Sequence, residues 1–325
     1  MCRALVDGAD LASFAGGPFD IRAVVASIRP GTCDGALLDG LPWGNFPHGE
    51  KAREAVHLLR TGDEPARDSV GVLIGMCADD SRAAAALAVP FLIPIATDPH
   101  HRHRADVLRG LAAPARARYF GVASRDEFLL HRSNPQHDDY DDYGVEVTGY
   151  PAGWSVAAAR AAITTGAPVL LPLLDGSDPA MRIDASYALA TAADPGHTVR
   201  SAFATRFAKE QDPMARAALV LAIAETTRAD PHQPATARIR ELWQDRAQAP
   251  EVRLAAAIGW LCLTDELAPD ALHTSVEALA TEERARAMDA LPWMAAAGRG
   301  EPGLLDCVRR MLHPEEPEPS DDPWA

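Results

Sequence analysis

The chain is poor in cysteine, and its few thiols are spread over 325 residues. Their number is odd, and no two of them form a Cys-x-x-Cys pair. This spacing argues against a disulfide framework and a structural zinc site, so we expect a reducing compartment. The five cysteines are Cys2, Cys33, Cys77, Cys262 and Cys307.

Lysine and long apolar runs are scarce as well. Only Lys51 and Lys209 are lysines, and the formal net charge of -15 argues against a protein that mainly grips phosphate backbones. No run approaches the roughly 18 apolar residues of a membrane span, and acids and glycine interrupt the first ten residues before an apolar signal segment forms. We therefore expect a cytoplasmic protein without a membrane span.

Familiar catalytic motifs are also missing from the sequence. It has no GxSxG elbow, P-loop, HExxH pair or glycine-rich dinucleotide loop behind a strand. Three histidines, His100, His101 and His103, crowd one predicted turn, but neighbouring arginines would repel a cation there. We expect a polar turn at this point, and no metal or cofactor in the protein.

What the sequence does contain is a repeat. Six arginines each open an apolar helical stretch, with separations of 37, 78, 34, 37 and 33 residues, so that one period is interrupted. Self-similarity at such a period is typical of a repeat array, and the unit fits two short helices. The six arginines are Arg67, Arg104, Arg182, Arg216, Arg253 and Arg286.

Two of these arginines follow the same helix-start signal. Asp178-Pro179 precedes Arg182, and Asp212-Pro213 precedes Arg216. The aspartate accepts unpaired helix N–H groups, and proline suits the first turn. Six and seven residues after the arginines, mostly small residues stand beside large ones, which is the spacing of a helical packing stripe. With 47% hydrophobic residues and only 6% aromatics, this pattern predicts an all-α fold.

These units resemble the HEAT-repeat family in its short bacterial PBS-lyase-like form, over roughly residues 50–312. The resemblance implies a right-handed α-α superhelix, a solenoid of about six helical pairs with one inserted loop. It also implies a structural ladder in which an arginine pairs with an aspartate near each turn. The matching positions are Arg67, Asp178 with Arg182, Asp212 with Arg216, and Arg253.

The resemblance suggests three regions. We expect residues 1–50 to be an irregular segment on the first repeat, with one helix near 20–28 and Trp43 as its anchor. Residues 51–312 form the array, with an insertion at about 112–154 that includes a short apolar piece at 127–130. The acidic, proline-rich residues 313–325 should be disordered.

In HEAT arrays the second helices line the concave surface, and that face of this chain is largely apolar. Such a groove either binds something or is covered by the insertion or a tail; alternatively, small residues simply fill helix contacts. The predicted partner-binding residues are Tyr187, Leu221, Ile258, Leu291, Asp184 and Glu225.

The insertion carries an acidic-aromatic stretch that could bind a divalent metal or a cationic ligand. Its spacing does not match an EF-hand, and a solvated loop is the simpler interpretation. The stretch comprises His137, Asp138, Asp139, Tyr140, Asp141, Asp142 and Tyr143.

From these features we expect a non-catalytic scaffold or adaptor that binds a protein or peptide on its concave face. One alternative is a small enzyme or accessory lyase with a site between the 134–146 loop and the groove. The other is a HEAT-like DNA glycosylase, for which Trp243, Trp260 and Trp293 would be candidates, although their spacing places the last two in the core.

Overall fold

In the computed structural model the described part of the chain consists of helices and their connections. The structure describes residues 16–17, 20–29, 35–62, 66–78, 82–116, 124–129, 153–192, 196–228, 235–264, 266–298 and 303–313. Within these ranges there are 17 α-helices and no strand. The helices are α1 (Ile21–Ala26), α2 (Gly35–Gly40), α3 (Gly49–Thr61), α4 (Ala66–Ala78), α5 (Arg82–Thr97), α6 (Arg104–Gly110), α7 (Arg125–Phe128), α8 (Trp154–Leu170), α9 (Pro179–Ala190), α10 (Gly196–Lys209), α11 (Pro213–Arg228), α12 (Ala235–Gln244), α13 (Pro250–Leu263), α14 (Asp270–Leu279), α15 (Glu282–Met288), α16 (Pro292–Gly298) and α17 (Gly303–Leu312). The expected all-α class is confirmed.

The helices form two compact units, and the chain passes between them more than once. Unit 1 comprises Met1–Ala117 and His131–Glu210, and unit 2 comprises Arg118–Leu130 and Gln211–Ala325. The predicted insertion at about 112–154 is therefore divided between the two units. Its start, the 3-10 turn Ala113–Ala115, belongs to unit 1, whereas α7 belongs to unit 2.

In unit 1 alternate helices pack on one another. α3 contacts α5 and α5 contacts α8, while α4 contacts α6 and α6 contacts α9. Helices α3, α5 and α8 form a first series, and α4, α6 and α9 form a second. Each helix of the first series also packs on the next helix in sequence, in the pairs α3–α4, α5–α6 and α8–α9. This is the contact pattern of stacked helical pairs.

Small residues allow these helices to approach closely. A Cβ atom at Gly166 of α8 would lie 2.5 Å from Cδ1 of Ile93 in α5, so only glycine fits without a shift of the neighbouring side chain. Alanine has a similar role, since Ala83–Ala86 of α5 are all buried. The abundant alanine and glycine thus contribute directly to the packing of the pairs.

The N-terminal fifty residues contain more helix than the sequence suggested. α1 falls within the predicted interval 20–28, but α2 and a 3-10 turn at Trp43–Asn45 follow it. The Trp43 side chain is buried; its Nε1 donates to the Leu38 carbonyl at 2.7 Å, and its ring lies 6.4 Å from that of Phe91. The turn also packs on α3, so Trp43 fixes this segment to the first helical pairs.

The arginine ladder exists at Arg182, but its carboxylate partner is not the predicted one. Arg182 is buried and donates from Nε and Nη2 to Glu210 at 2.7 and 2.9 Å, and from Nη1 to the Gly176 and Ser177 carbonyls. Asp178 instead accepts the Ala180 N–H as the cap of α9. The predicted Asp178–Arg182 pair is therefore wrong, because the aspartate is engaged by the helix start.

The other ladder positions differ among themselves. Asp212 also accepts a helix-start N–H, from Ala215 at 2.8 Å, and Arg216 is half-buried. Arg253 donates to the Trp243 carbonyl and to Ser275 Oγ at 3.2 and 3.0 Å. Arg67 lies in α4, but its side chain is outside the described part of the chain. The arginines of the repeat thus bind carbonyls and hydroxyls as well as carboxylates.

One helical stretch has the length and composition of a membrane span, contrary to the expectation. Trp154–Asp175, which is α8 with the 3-10 turn that follows it, has a mean hydropathy of 1.4. Length and composition alone are weak grounds, because a core helix of a soluble protein has the same properties. Here α8 packs on α1, α5 and α9 within unit 1.

Candidate functional site

Residues 124–129 form a short segment that is held within unit 2, and we call it the clasped segment. Ser124 is the N-cap of α7, and its hydroxyl accepts the Glu127 N–H at 3.3 Å. The sequence Ser-Arg-Asp-Glu fits the capping-box pattern, which favours a helix start at this point. α7 packs on α13 and α16.

The first anchor of the clasped segment is the guanidinium of Arg125. Its Nε donates to the Met311 carbonyl at 2.6 Å, and its Nη1 donates to the carbonyls of Thr264 and Glu266 at 3.4 and 3.2 Å. Thr264 is the C-cap of α13, and Met311 lies in the last turn of α17. Helix C-termini carry unpaired carbonyls and a negative partial charge, so two helix ends together form a site for a cation.

In the second anchor the donor lies outside the clasped segment and the acceptors lie within it. Nη1 of Arg228, at the C-terminus of α11, donates to the carbonyls of Arg125, Asp126 and Leu129 at 3.0, 3.1 and 3.3 Å. Its Nη2 donates to Oδ1 of Asp126 at 2.5 Å. Arg228 therefore binds the backbone of the clasped segment and its acidic side chain together.

Apolar contacts complete the site. Phe128 and Leu129 are buried, and Cys262 of α13 lies beside the Leu129 backbone. Burial raises the pKa of the Cys262 thiol to about 12, against smaller opposing effects of Arg228 and of the Leu129 backbone. The thiol is consequently protonated at neutral pH and packs as a small apolar group. We call the surface formed by Arg228, Cys262 and the carbonyls of Thr264, Glu266 and Met311 the unit 2 groove.

The predicted concave strip does not face solvent. All six residues, Tyr187, Leu221, Ile258, Leu291, Asp184 and Glu225, are buried. In unit 1 the guanidinium of Arg116 lies 4.0 Å above the Tyr187 ring, and in unit 2 Trp293 Nε1 donates to Glu225 at 2.6 Å. The expectation of an open apolar strip on these residues is wrong, because all six are buried within the protein.

Asp184 is the most unusual carboxylate of that strip, because it is buried beside an exposed cation. Arg109 donates to it from Nε and Nη2 at 3.0 and 3.4 Å, while 54% of the Arg109 side chain is exposed. Burial raises the pKa of Asp184 above its ordinary 3.8, and Arg109 opposes this shift only in part. The folded state therefore favours the protonated form of this carboxyl.

Replacing Asp184 by asparagine should have a pH-dependent effect on stability. Because the folded-state pKa is raised, the stability that Asp184 contributes is fully present below 3.8 and is lost as pH rises through the folded value. Asparagine does not ionise, so the melting temperature of Asp184→Asn relative to the parent should increase between about pH 3.5 and about pH 7. Thermal melts at both pH values measure this difference; a decrease instead would mean that the Arg109 pair outweighs the cost of burial.

The acidic-aromatic stretch lies outside the described residues. This applies to His137, Asp138, Asp139, Tyr140, Asp141, Asp142 and Tyr143, and to the whole 134–146 loop of the enzyme alternative. Within the ranges that are described, no group of three or more His, Cys, Asp or Glu side chains could hold a metal ion.

Unit 1 contains a separate cleft of about 390 Å³ between α3 and the end of α5. Its polar side chains bind the protein's own chain: His101 Nε2 donates to the Leu59 carbonyl at 2.6 Å, and His57 Nε2 lies 2.8 Å from Asp39 Oδ1. The expected polar turn at His100, His101 and His103 is thus tied to the end of α3. The cleft is lined by His57, Arg60, Thr61, Pro94, Ile95, Asp98 and His101.

The sequence did not predict the two arginines whose hydrogen bonds hold the clasped segment in the groove, Arg125 and Arg228. The apolar piece at 127–130 was noticed, and the capping box at Ser124 was available as a further signal. Nothing local marks Arg125 or Arg228, because the partners of both lie 99 or more residues away. The three tryptophans Trp243, Trp260 and Trp293 are buried, as their spacing indicated for the last two.

Comparison with protein-family models, curated proteins and solved structures gives no match to this chain. The resemblance to HEAT repeats stays a prediction from the sequence.

Proposed function

We propose that this chain is a non-catalytic adaptor that binds a peptide segment of a partner protein in the unit 2 groove. The clasped segment carries the proposal, because it occupies this groove through contacts that a separate peptide would make. Arg125 and Asp126 supply charged anchors, and Phe128 and Leu129 supply apolar ones. Short helical peptides that dock on helical proteins use the same combination.

We further propose that the helices form a HEAT-like right-handed α-α superhelix of about six pairs. The series α3–α5–α8 and α4–α6–α9 support this proposal in unit 1. In unit 2 the packing of α11 on α13, with α12 against both, supports it as well. Helical arrays of this kind offer extended surfaces for partners.

Binding fits the chemistry of the groove better than catalysis does. The Arg228 guanidinium holds three backbone carbonyls and a carboxylate, and the Cys262 thiol stays protonated at neutral pH. Desolvation likewise raises the pKa of Cys307. The described cysteines are free thiols, which supports a cytoplasmic location, and the net charge of -15 favours a protein partner over nucleic acid.

A full-length chain with an emptied groove tests the proposal. The variant Arg125→Ala/Phe128→Ser/Leu129→Ser removes the anchors of the clasped segment but keeps every groove residue. A fluorescent peptide of residues 121–130 should bind this variant at least about 100-fold more tightly than the parent, in which the tethered segment competes at an effective concentration of order mM. Fluorescence anisotropy measures both affinities.

The melting temperature provides a second measurement if the variant is destabilised. Peptide at about 100 times its dissociation constant should stabilise the emptied variant by about 2.7 kcal/mol and leave the parent unchanged. Arg53→Ala is the matched control, because Arg53 pairs with Glu50 on α3 and its removal leaves the groove occupied. The proposal fails if the emptied variant neither binds the peptide nor is stabilised by it.

A further inference from the structure

The cation site formed by two helix ends indicates what kind of partner the groove selects. Three carbonyl oxygens converge on one guanidinium, from the C-cap of α13, from Glu266 just beyond it, and from the last turn of α17. They are bound by two different nitrogens of Arg125, Nε and Nη1. Each oxygen is a backbone atom, so the position of the site does not depend on side-chain rotamers.

We propose that the groove recognises an arginine in the partner, followed by an acidic residue and then by an aromatic and an aliphatic residue, in the order Arg-Asp-x-Phe-Leu. This inference rests on the proposed adaptor function and names the partner of the same groove. The order is that of Arg125, Asp126, Phe128 and Leu129 in the clasped segment. Arg125 and Asp126 each form a hydrogen bond with a residue of unit 2, and Phe128 and Leu129 are buried.

Arginine is required because of the shape of the site. The guanidinium presents several N–H groups in a rigid plane, so Nε reaches Met311 in the last turn of α17 while Nη1 reaches Thr264 at the C-cap of α13. The ammonium of lysine is a single point on a flexible stem and cannot reproduce this arrangement. The negative ends of the two helix dipoles favour either cation, so the selectivity comes from geometry.

The acidic residue contributes less to binding than the arginine and the two apolar residues do. The Asp126 side chain pairs with Arg228 at 2.5 Å, but 70% of it is exposed, so water competes for this contact. Most of the bonds from Arg228 go to backbone carbonyls, which any residue provides. The phenylalanine and leucine positions are buried and require apolar side chains.

A series of peptides on the emptied full-length variant tests the order of importance. The parent peptide of residues 121–130 is compared with its Arg125→Lys, Arg125→Ala, Asp126→Asn and Phe128→Ala forms by anisotropy. We expect the Arg125→Lys, Arg125→Ala and Phe128→Ala peptides to bind about tenfold or more weakly. The Asp126→Asn peptide should lose about threefold or less.

The outcomes separate this inference from the proposed function. If the parent peptide binds and the Arg125→Lys peptide binds equally well, the arginine inference is overturned while the adaptor proposal stands. If no peptide binds, both are overturned. If the parent chain forms dimers at high concentration that the free peptide dissociates, the occupant is a second copy of this chain, and the partner motif is rejected.

Discussion

Replacing Glu210 by alanine should lower the free energy of unfolding by about 3–5 kcal/mol, which is the cost of leaving buried charges without their partner. Glu210 is itself buried and accepts hydrogen bonds from Arg182 at 2.7 and 2.9 Å and from Arg206 at 3.1 and 2.9 Å. Arg182 is also buried, so its guanidinium would lose both bonds to a carboxylate and keep the bonds to the carbonyls of Gly176 and Ser177. Chemical denaturation of the parent and the variant measures the difference.

An exposed ion pair provides the control for that measurement. Arg286 and Glu282 lie 3.6 Å apart on α15, with side-chain exposures of 76% and 82%. Glu282→Ala should change the free energy of unfolding by no more than about 0.5 kcal/mol, since water screens such pairs. Equal effects of the two substitutions would show that Glu210 does not hold buried charge.

Replacing Leu221 by aspartate should unfold unit 2, because the new carboxylate would have no access to water. Leu221 is 0% exposed and lies in α11, which packs on α12 and α13. Burying an unpaired charge together with the loss of apolar contacts costs more than about 4 kcal/mol. Circular dichroism and thermal melts of the full chain should show lost helix and an early transition.

The matching control is the same substitution at an exposed leucine. Leu267 is 82% exposed, so Leu267→Asp should leave the melting transition within about 1 °C of the parent. A stable, fully helical Leu221→Asp protein would contradict the structure, and it would restore the interpretation of Leu221 as part of an open concave face.

Helix starts could be predicted from the sequence because their signals are local. Asp178 and Pro179 mark the start of α9 within two residues, and the structure has the expected cap. The partner of Arg182 could not be predicted, because Glu210 lies 28 residues further along the chain and nothing nearby distinguishes it from Asp178. A repeat period indicates that an arginine recurs, but not which carboxylate folding brings to it.

The burial of the predicted concave strip could not be predicted from the sequence for a related reason. Periodicity shows that Leu221 and Ile258 lie on an apolar side of their helices, but not whether another segment lies over that side. The clasped segment, a separate feature, is visible in the sequence only as a short apolar piece at 127–130. Its place in unit 2 depends on Arg228, some hundred residues later in the chain.

The position of the clasped segment in the chain determines when this segment can form its native contacts during translation. Residues 124–129 belong to unit 2, yet they precede residues 131–210 of unit 1, and their last anchor, Met311, comes 186 residues after Arg125. At the usual rates of translation, Leu129 leaves the ribosome's active centre about 10–40 s before Met311 is added. During that time Phe128 and Leu129 have no native groove to enter. Unit 2 consequently cannot complete its native contacts until Met311 has been synthesised, and a nascent chain stalled before α17 would present this segment to chaperones.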